Sequence, residues 1–224
     1  MSLSGRAPAT VTISAFDYPY GMSETQETDR IVWIDCEMTG LDFKNDLLVE
    51  IACVITNSQL EIVAEGLNIV IQAPAERLES MDPFVVNMHT ESGLLPEIPN
   101  GVSLEAAEEQ LFDYISSHIP EASKAPLAGS SVHVDRIFLQ RDMPRVDSYL
   151  HYRIIDVSSI KELVRRWYPR AYFASPTKTG NHRALGDILD SINELKYYRE
   201  AVFVELPGPD TSKAKEIAAK HAPN

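Results

Sequence analysis

The order of apolar and polar residues along the chain predicts strands in its first part. Nearly continuous apolar runs cover residues 31–38, 48–56 and 60–71, and Asn57 with Ser58 provides a turn between the second and third. Runs of this kind are typical of strands covered on both faces. Because the three runs follow one another closely, we expect them to form an antiparallel meander.

Helices and short strands alternate in the rest of the chain. A helical pattern begins after Ser103, which we expect to be its N-cap. Its apolar face consists of Leu104, Ala107, Leu111, Phe112 and Ile115. Residues 125–128 and 153–157 indicate two short strands, each followed by a helix, and a last helix spans about 184–198. The pattern predicts an α/β fold, a mixed sheet of about five strands with helices on both faces.

The two ends of the chain differ from the middle. Residues 1–29 are rich in Ser, Thr, Pro and Gly and lack a sustained periodicity, which predicts a disordered extension. We expect one domain over residues 30–204 and a flexible tail over 205–224 that includes a frayed helix. The stretch before Met22 resembles a mitochondrial presequence only weakly, because Arg6 is its one basic residue.

Composition narrows the class of protein. A chain of 224 residues with 44% hydrophobic content can bury a full core as one domain. The net charge of −13 argues against a long nucleic-acid partner, but not against a very short one bound through metal ions. Cys36 and Cys53 lie in apolar runs and predict reduced core thiols in an intracellular protein, cytoplasmic or mitochondrial. No apolar stretch reaches the ~18 residues needed to span a bilayer.

Two acids interrupt the first apolar run. Asp35 and Glu37 project from the same face of the predicted strand, about 7 Å apart along the chain. Burying unpaired carboxylates is costly, and two neighbouring ones also repel each other. A divalent cation removes both costs, since carboxylate oxygens are the ligands that Mg²⁺ prefers. The alternative is an ordinary salt-bridged pair at the end of a strand.

Further candidate residues fall near helix starts. Asp135 lies in the first turn of the helix that follows Gly129, Ser130 and Ser131. His182 and Asp187 would point ~140° apart if both belonged to one regular helix. Joint chemistry therefore requires His182 just before the last helix and Asp187 within its first turns. Taken singly, each has an ordinary alternative as a surface histidine or a helix N-terminal acid.

Together these residues resemble the catalytic set of a known class of nucleases. Asp35-x-Glu37, a distant Asp135 and His182-x4-Asp187 resemble the DEDDh class of 3′→5′ exonucleases. Longer segments are similar to the oligoribonuclease family: WIDCEMTGL at 33–41, LAGSSVHVD at 127–135, HYRIIDVS at 151–158, KELVRRWYP at 161–169, and residues 182–199. The resemblance covers about residues 30–204. It implies an RNase-H-like fold, a homodimer and the hydrolysis of very short RNAs, chiefly dinucleotides, to 5′-mononucleotides.

The resemblance also implies chemical roles. It makes four acids the ligands of two divalent cations, Mg²⁺ or Mn²⁺: Asp35, Glu37, Asp135 and Asp187. Such a pair of ions stabilises both the attacking and the leaving oxygen at phosphorus. His182 would deprotonate the attacking water. Tyr152 is the second catalytic candidate and, with Arg153, would reach into the partner's site.

The implied substrate contacts lie elsewhere along the chain. Leu41 matches a wedge between the bases, Phe84 a stacking surface and His89 a nearby histidine. The cap on the terminal phosphate matches Ser131, Arg153 and Ser158. Each has an ordinary alternative: Leu41 as core, Phe84 beneath a loop, Arg153 in a surface ion pair, and Tyr152 as an interface anchor.

Three positions depart from the family pattern. Phe84 stands where Trp is usual, Ser130 where Asn is usual, and Gly186 where a second acid is common. Since the spacing from His182 makes Asp187 the metal ligand, we expect an active enzyme. The alternative functions are a short-DNA or proofreading exonuclease and an inactive RNA-binding relative.

Overall fold

A computed structural model describes residues 29–178 and 182–222. The presequence-like stretch before Met22 and nearly all of the predicted disordered extension lie outside the described residues. Within these ranges, no helix is long and apolar enough to cross a membrane.

Five strands form one mixed sheet, as the sequence predicts. They are β1 (Arg30–Met38), β2 (Leu48–Asn57), β3 (Leu67–Val70), β4 (Pro126–Gly129) and β5 (His151–Asp156), in the spatial order β3-β2-β1-β4-β5. The predicted antiparallel meander is confirmed for β1, β2 and β3, whereas β4 runs parallel to both β1 and β5. The third strand is shorter than the apolar run at 60–71, because only an isolated bridge pairs Ile62 with Thr56 before β3 begins.

Helices lie between the parallel strands β1, β4 and β5 along the chain, and after β5. Those of the described domain are α1 (Ala75–Glu79), α2 (Pro83–Glu91), α3 (Leu104–His118), α4 (His133–Asp142), α5 (Pro144–Tyr149), α6 (Val157–Trp167), α7 (Pro169–Phe173) and α8 (Ala184–Ala201). Ser103 caps α3 as predicted, since its side chain accepts a hydrogen bond from the Ala106 amide. The pattern of apolar and polar residues did not predict α2. Its start is marked by Asp82, whose side chain accepts from the Phe84 amide, followed by Pro83 at the first helical position.

The two faces of the sheet carry separate apolar cores. Val32, Ile34 and Cys36 of β1 pack with α3, α4 and α5. Ile31 and Trp33 point the opposite way and pack with α6 and α8. Trp33 is fully buried and donates its indole N–H to Thr56 Oγ1 at 3.0 Å. Full burial of one such side chain contributes roughly 1.5–3 kcal/mol, so these layers fix β1 firmly in the middle of the sheet.

The parallel strands bring three chain segments to one edge of the sheet. β1, β4 and β5 all end at this edge, because parallel strands share a direction. Gly129, the last residue of β4, lies so close to β1 that an added Cβ would stand 2.9 Å from the Ile34 carbonyl oxygen. The turn after β4 therefore lies beside the end of β1 that carries the two acids.

Residues 204–222 form a separate compact unit from the domain that ends at Phe203. The sequence predicts a flexible tail with a frayed helix here, and this segment contains one ten-residue helix, α9 (Thr211–Lys220). The side chain of Asp210 caps it by accepting from the Lys213 amide at 2.7 Å.

Candidate active site

Three carboxylates meet at the end of β1. One oxygen each of Asp35, Glu37 and Asp187 lies within 4.8 Å of the others. The strand's alternation places Asp35 and Glu37 on the same face as Trp33, which is the face that α8 covers. Asp187 lies in the first turn of α8. The sheet and the helix thus bring together acids that are 150 positions apart in sequence.

His182 lies immediately before α8, where joint chemistry with Asp187 requires it. Arg183 is the N-cap of α8, and His182 precedes it with a left-handed backbone (φ 49°) and an exposed side chain. A non-glycine residue with positive φ is uncommon and is found in functional loops. The predicted break between His182 and the helix is confirmed.

Asp135 lies beside the three carboxylates but outside their group. It is buried in the first turn of α4, as predicted, and its Oδ1 accepts a hydrogen bond from the Cys36 amide at 3.0 Å. Cys36 stands between Asp35 and Glu37 in β1. The hydrogen bond therefore fixes Asp135 against β1 while engaging one of its oxygens.

Burial and mutual repulsion raise the pKa values of these acids. Burial, followed by the charges of Asp187 and Glu50, raises the pKa of Glu37 to about 8. Burial also raises the pKa of Asp135 to about 7, although hydrogen bonds from the backbone and Cys36 oppose it. The pKa of Asp35 is raised by burial and then by the charges of Asp135, Asp187 and Glu37. The pKa of Asp187 is raised by burial, against the opposing charges of His182 and Lys178.

The arrangement fits a divalent cation. Carboxylates with raised pKa values are unfavourable in their charged form, because they are desolvated and repel one another. A hard cation that takes their oxygens as ligands compensates for both effects. Asp35, Glu37 and Asp187 supply such oxygens within bonding reach of a shared ion. The predicted group of four ligands is thus assembled in part, with three acids clustered and Asp135 adjacent.

His89, a predicted substrate contact, is buried. Its side chain has no exposed surface; Nε2 lies 2.9 Å from the Met38 carbonyl oxygen and Nδ1 lies 3.9 Å from Glu37 Oε2. Because a carbonyl only accepts, Nε2 carries the hydrogen in this contact. Burial lowers the pKa of His89 and favours the neutral ring. In this arrangement Nδ1 faces Glu37 without a hydrogen bond, and the buried ring is not open to a ligand.

Leu41 and Phe84, two further predicted substrate contacts, are exposed apolar residues. Both side chains are 75% exposed, which excludes the alternatives that place Leu41 in the core or Phe84 beneath a loop. Leu41 follows the end of β1 by three residues, in the loop to β2, and Phe84 is in the first turn of α2. Exposed apolar side chains of this kind are suited to contact bases.

A second polar cluster forms after β4 and β5. Asp156 Oδ1 accepts hydrogen bonds from the amide of Ser131 (2.9 Å) and from the amide (2.9 Å) and hydroxyl (2.6 Å) of Ser158. The two serine hydroxyl oxygens lie 3.3 Å apart. The structure thus brings together two of the three residues predicted to cap a phosphate, and Ser131 has a left-handed backbone (φ 57°) that turns it toward Ser158.

Tyr152 and Arg153 lie on the edge strand β5. Tyr152 is 73% exposed, and the Arg153 guanidinium carbon lies 5.3 Å from the centre of its ring. Beneath them, Arg136 donates to the carbonyl oxygens of His151 and Tyr152 at 3.1 Å and pairs with Asp147 at 2.9 Å. Both predicted residues are thus presented outward on a braced strand.

The basic residues of α6 are largely paired. Lys161 lies 3.0 Å from Glu194, and both Arg165 and Arg166 pair with Glu162. These contacts favour a solvated helix face over a phosphate-binding groove for this cluster.

Sequence reasoning missed two supporting acids. Asp156 accepts the hydrogen bonds of both serines. Its position two residues before Ser158, at a strand-to-helix junction, could have indicated it, because an N-cap is expected there. Glu50 is fully buried in β2. An acid inside the apolar run at 48–56 was the equivalent signal, of the same kind as Asp35 and Glu37 in β1.

Comparisons with known proteins define the class first. A family model described as an exonuclease matches residues 32–195. Crystal structures of E. coli exonuclease I share the fold: the metal-free complex with single-stranded DNA has a TM-score of 0.59 at 14% identity over 78% of this chain. The zinc-bound complex has a TM-score of 0.62 at 14% identity over 78% of this chain. The chain spans about 40% of the length of these exonuclease I chains.

Curated relatives place the chain within that class. Oligoribonuclease from Streptomyces griseus is 60% identical over 192 residues, which are 86% of this chain and 96% of the relative. The oligoribonuclease of a Mycobacterium species (strain KMS) is 57% identical over 196 residues, 87% of this chain and 91% of the relative. The chain belongs to the oligoribonuclease family of exonucleases. It is therefore an enzyme whose acidic site is built for divalent metal.

Proposed function

We propose that the chain is a 3′→5′ exoribonuclease that degrades very short RNAs, chiefly dinucleotides, to 5′-mononucleotides with the help of two divalent cations, Mg²⁺ or Mn²⁺. The observation that carries this proposal is the meeting of Asp35, Glu37 and Asp187 within 4.8 Å, with His182 just before the helix that carries Asp187. High identity to oligoribonucleases over nearly their whole length supports the substrate.

The proposed metal ligands are Asp35, Glu37 and Asp187, with Asp135 contributing the oxygen that does not face the Cys36 amide. Two divalent cations, when bound, neutralise the charge that develops on the attacking and leaving oxygens at phosphorus. The protein's part is to hold four carboxylates on rigid elements, three of them at strand ends or in first helical turns.

His182 is the proposed general base. It is exposed on a left-handed turn beside Asp187, where its neutral ring can accept a proton from the attacking water. Its place outside the regular part of α8 lets it approach from the side of solvent, whereas Asp187 faces the strand. This division of roles accounts for the five-residue spacing between them.

Residues other than the metal ligands would bind the two ends of the substrate. Ser131 and Ser158 place two hydroxyl oxygens 3.3 Å apart. With Arg153 they would donate to the terminal phosphate, for which the Ser158 hydrogen turns away from Asp156. Leu41 and Phe84 supply exposed apolar surface for two bases. A pocket closed at the phosphate leaves no path for a longer chain, so length selectivity follows from the same contacts.

A homodimer would complete each site. β5 is an edge strand that exposes Tyr152 and Ile154, and Trp167 at the end of α6 is 66% exposed. Exposed apolar surface of this kind is typical of protein interfaces. We propose that Tyr152 and Arg153 reach into the partner's site from this surface.

Two other functions account less well for the clustered acids and the net charge of the chain. An inactive RNA-binding relative would not need clustered carboxylates with raised pKa values. Burying these carboxylates lowers the stability of the fold, and binding RNA does not require them. A proofreading or DNA-trimming enzyme needs a basic surface for a long polymer, and the chain carries a net charge of −13. The compartment, cytoplasmic or mitochondrial, is a separate proposal that rests on the residues before Met22.

One assay separates these functions. The purified full-length chain is given a dinucleotide, a 20-mer RNA and a 20-mer DNA at one salt concentration, with Mg²⁺, Mn²⁺ or excess chelator. We expect rapid metal-dependent cleavage of the dinucleotide and a steep fall in rate with length. Equal rates on the 20-mer and the dinucleotide, or full activity in chelator, would contradict the proposal.

The shared site has its own test. Asp35→Ala removes a metal ligand from its own protomer, whereas Arg153→Ala removes a phosphate contact from the neighbour's site. Random pairing makes about half the dimers mixed, so roughly a quarter of the sites should be intact. Co-expression should restore about that fraction of activity. No recovery in confirmed mixed dimers would place Arg153 in its own protomer's site.

A further inference from the structure

Glu50 is a fully buried acid next to the candidate metal ligands. It lies on β2 directly opposite Glu37 in the strand register, so both side chains point to the face covered by α8. Its negative charge contributes to the raised pKa of Glu37. Yet Glu50 is not a member of the carboxylate group whose oxygens converge within 4.8 Å.

Both oxygens of Glu50 are engaged by other groups. Oε1 accepts from Arg183 Nε at 2.9 Å, from Arg183 Nη2 at 2.7 Å and from Asn68 Nδ2 at 3.0 Å. Oε2 accepts from the Ala184 amide at 3.0 Å. Helix α8 has no side-chain cap from its own N-cap residue, Arg183. Glu50 therefore caps the helix from the neighbouring strand and also complements its dipole.

Arg183 links this cap to the rest of the site. Its guanidinium also bonds Glu97, with Nη2 to Oε2 at 2.8 Å and Nη1 to Oε1 at 3.3 Å. Arg183 directly follows His182, and its carbonyl oxygen accepts from the Asp187 amide at 3.0 Å. His182 and Asp187 are thus both connected directly to Arg183, the residue that Glu50 binds.

We propose that Glu50 is a positioning residue, which fixes Arg183 and the first turn of α8 so that His182 and Asp187 stand correctly against Asp35 and Glu37. The inference rests on the proposed function and adds a residue to it. Glu50 does not act as a ligand, because its oxygens already accept four hydrogen bonds. Supporting residues of this kind set the geometry on which metal binding depends.

Two variants of opposite charge separate positioning from simple electrostatics. Glu50→Gln removes a negative charge near the site, and Arg183→Met removes a positive one. If charge alone mattered, Glu50→Gln would weaken Mn²⁺ binding and Arg183→Met would strengthen it. If positioning matters, both variants weaken it, by about 10–100-fold. Titration calorimetry of Mn²⁺ into the full-length protein without substrate measures this directly.

The kinetic expectation is equally specific. Both variants should lower kcat by about 10–100-fold, while the KM for a dinucleotide stays within about twofold because its binding contacts lie elsewhere. The double variant should lose no more than the worse single one, since the two residues act as a unit. Arg183→Lys keeps the charge without the paired contact and should recover only part of the loss.

Leu111→Ala is the matched control for instability. Leu111 is fully buried in α3 on the opposite face of the sheet, so its loss should lower Tm without changing Mn²⁺ affinity. Tighter Mn²⁺ binding by Arg183→Met, or wild-type values in both variants, would overturn the inference. If Glu50→Gln does not fold, Arg183→Met decides alone, because that side chain is partly exposed. A wild-type protein that neither binds Mn²⁺ nor cleaves dinucleotides would instead refute the proposed function.

Discussion

The acid cluster and the serine cluster lie at the same edge of the sheet but are built in opposite ways. Asp35, Glu37 and Asp187 face one another without enough positive charge to balance them, and burial with mutual repulsion raises their pKa values. Ser131 and Ser158 are instead fully supported by hydrogen bonds to Asp156. The acid cluster therefore lacks the positive charge that cations would supply, whereas the serine cluster already has its hydrogen-bond partners.

This difference separates two demands on an active site. Metal ligands must remain available to an ion, so they cannot be neutralised by the protein without losing function, and the metal-free fold is less stable for it. Groups that bind a phosphate by hydrogen bonding gain from being held in place beforehand, which also stabilises the fold. Mutations should therefore affect stability with opposite signs in the two regions.

The largest expected effect is that of removing a metal ligand. Asp35→Asn should lower kcat by about 10⁴-fold, since the cation supplies several kcal/mol to the transition state. The same change should raise the Tm of the metal-free protein by about 2–4 °C, because relief of repulsion by roughly 1 kcal/mol shifts a domain of this size by that much. Steady-state kinetics and calorimetry in chelator measure the two effects.

The control for this variant is Glu109→Gln, which makes the same kind of change at an exposed position of α3. It should leave both kcat and Tm near the wild-type values, as expected for a surface substitution. A fall in the Tm of metal-free Asp35→Asn would mean that the carboxylate stabilises the fold, and the proposed contrast between the regions would be wrong.

The second effect concerns His182, the proposed general base. His182→Ala should lower kcat by about 10²–10⁴-fold and leave Tm nearly unchanged, because the side chain is exposed. Mn²⁺ affinity should also be kept, which distinguishes this variant from the loss of a ligand. His221→Ala, at another exposed histidine just after α9, is the matched control. Near-normal turnover in His182→Ala would return the residue to the role of an ordinary surface histidine.

The sequence predicted the fold and the placement of the acids because each had a local signal. The apolar run around Asp35 fixed both its strand and its face, and the angle argument placed His182 outside the helix that carries Asp187. The burial of His89 had no such signal, since α2 was not anticipated and its packing under Glu37 depends on tertiary contacts. The partners of Glu50 were equally hidden, because Arg183 is 133 positions away.

The third effect is a pH dependence of the stability that metal provides. The pKa of Glu37 is about 8 and that of Asp135 about 7, both above their ordinary values near 4. A raised folded-state pKa contributes stability that is fully present below the unfolded-state pKa and is lost as the pH rises through the folded-state value. The metal-free protein should therefore lose stability as the pH rises from about 4 to about 8.

Bound metal should restore the stability that the metal-free protein loses as the pH rises. At pH 8 a concentration of Mn²⁺ 100 times its Kd should stabilise by about 2.7 kcal/mol, or about 5–10 °C in Tm. At pH 6 the same concentration should stabilise less, because protons must first leave the carboxylates. Glu37→Gln should reduce this difference. Equal shifts at both pH values in the wild-type protein would show that these acids are not protonated in the metal-free fold.

The smallest effect tests the serine cluster. Ser158→Ala removes one hydroxyl from the proposed phosphate contact. Because that hydroxyl would exchange its hydrogen bond to Asp156 for one to the phosphate, its net contribution is roughly 0.5–1.5 kcal/mol, so KM for a 5′-phosphorylated dinucleotide should rise about two- to tenfold. In contrast to Asp35→Asn, the variant should also lower Tm slightly, because Ser158 donates to Asp156 at 2.6 Å.

The same dinucleotide without its terminal phosphate provides the control. It cannot make the lost contact, so Ser158→Ala should change its KM little, and the two substrates should become more alike in the variant than in the wild-type protein. Ser131→Ala should behave in the same way, and the double variant should lose less than the sum of the two, since both hydroxyls meet at one point. An equal rise in KM for both substrates would place Ser158 in the support of α6 and remove it from phosphate recognition.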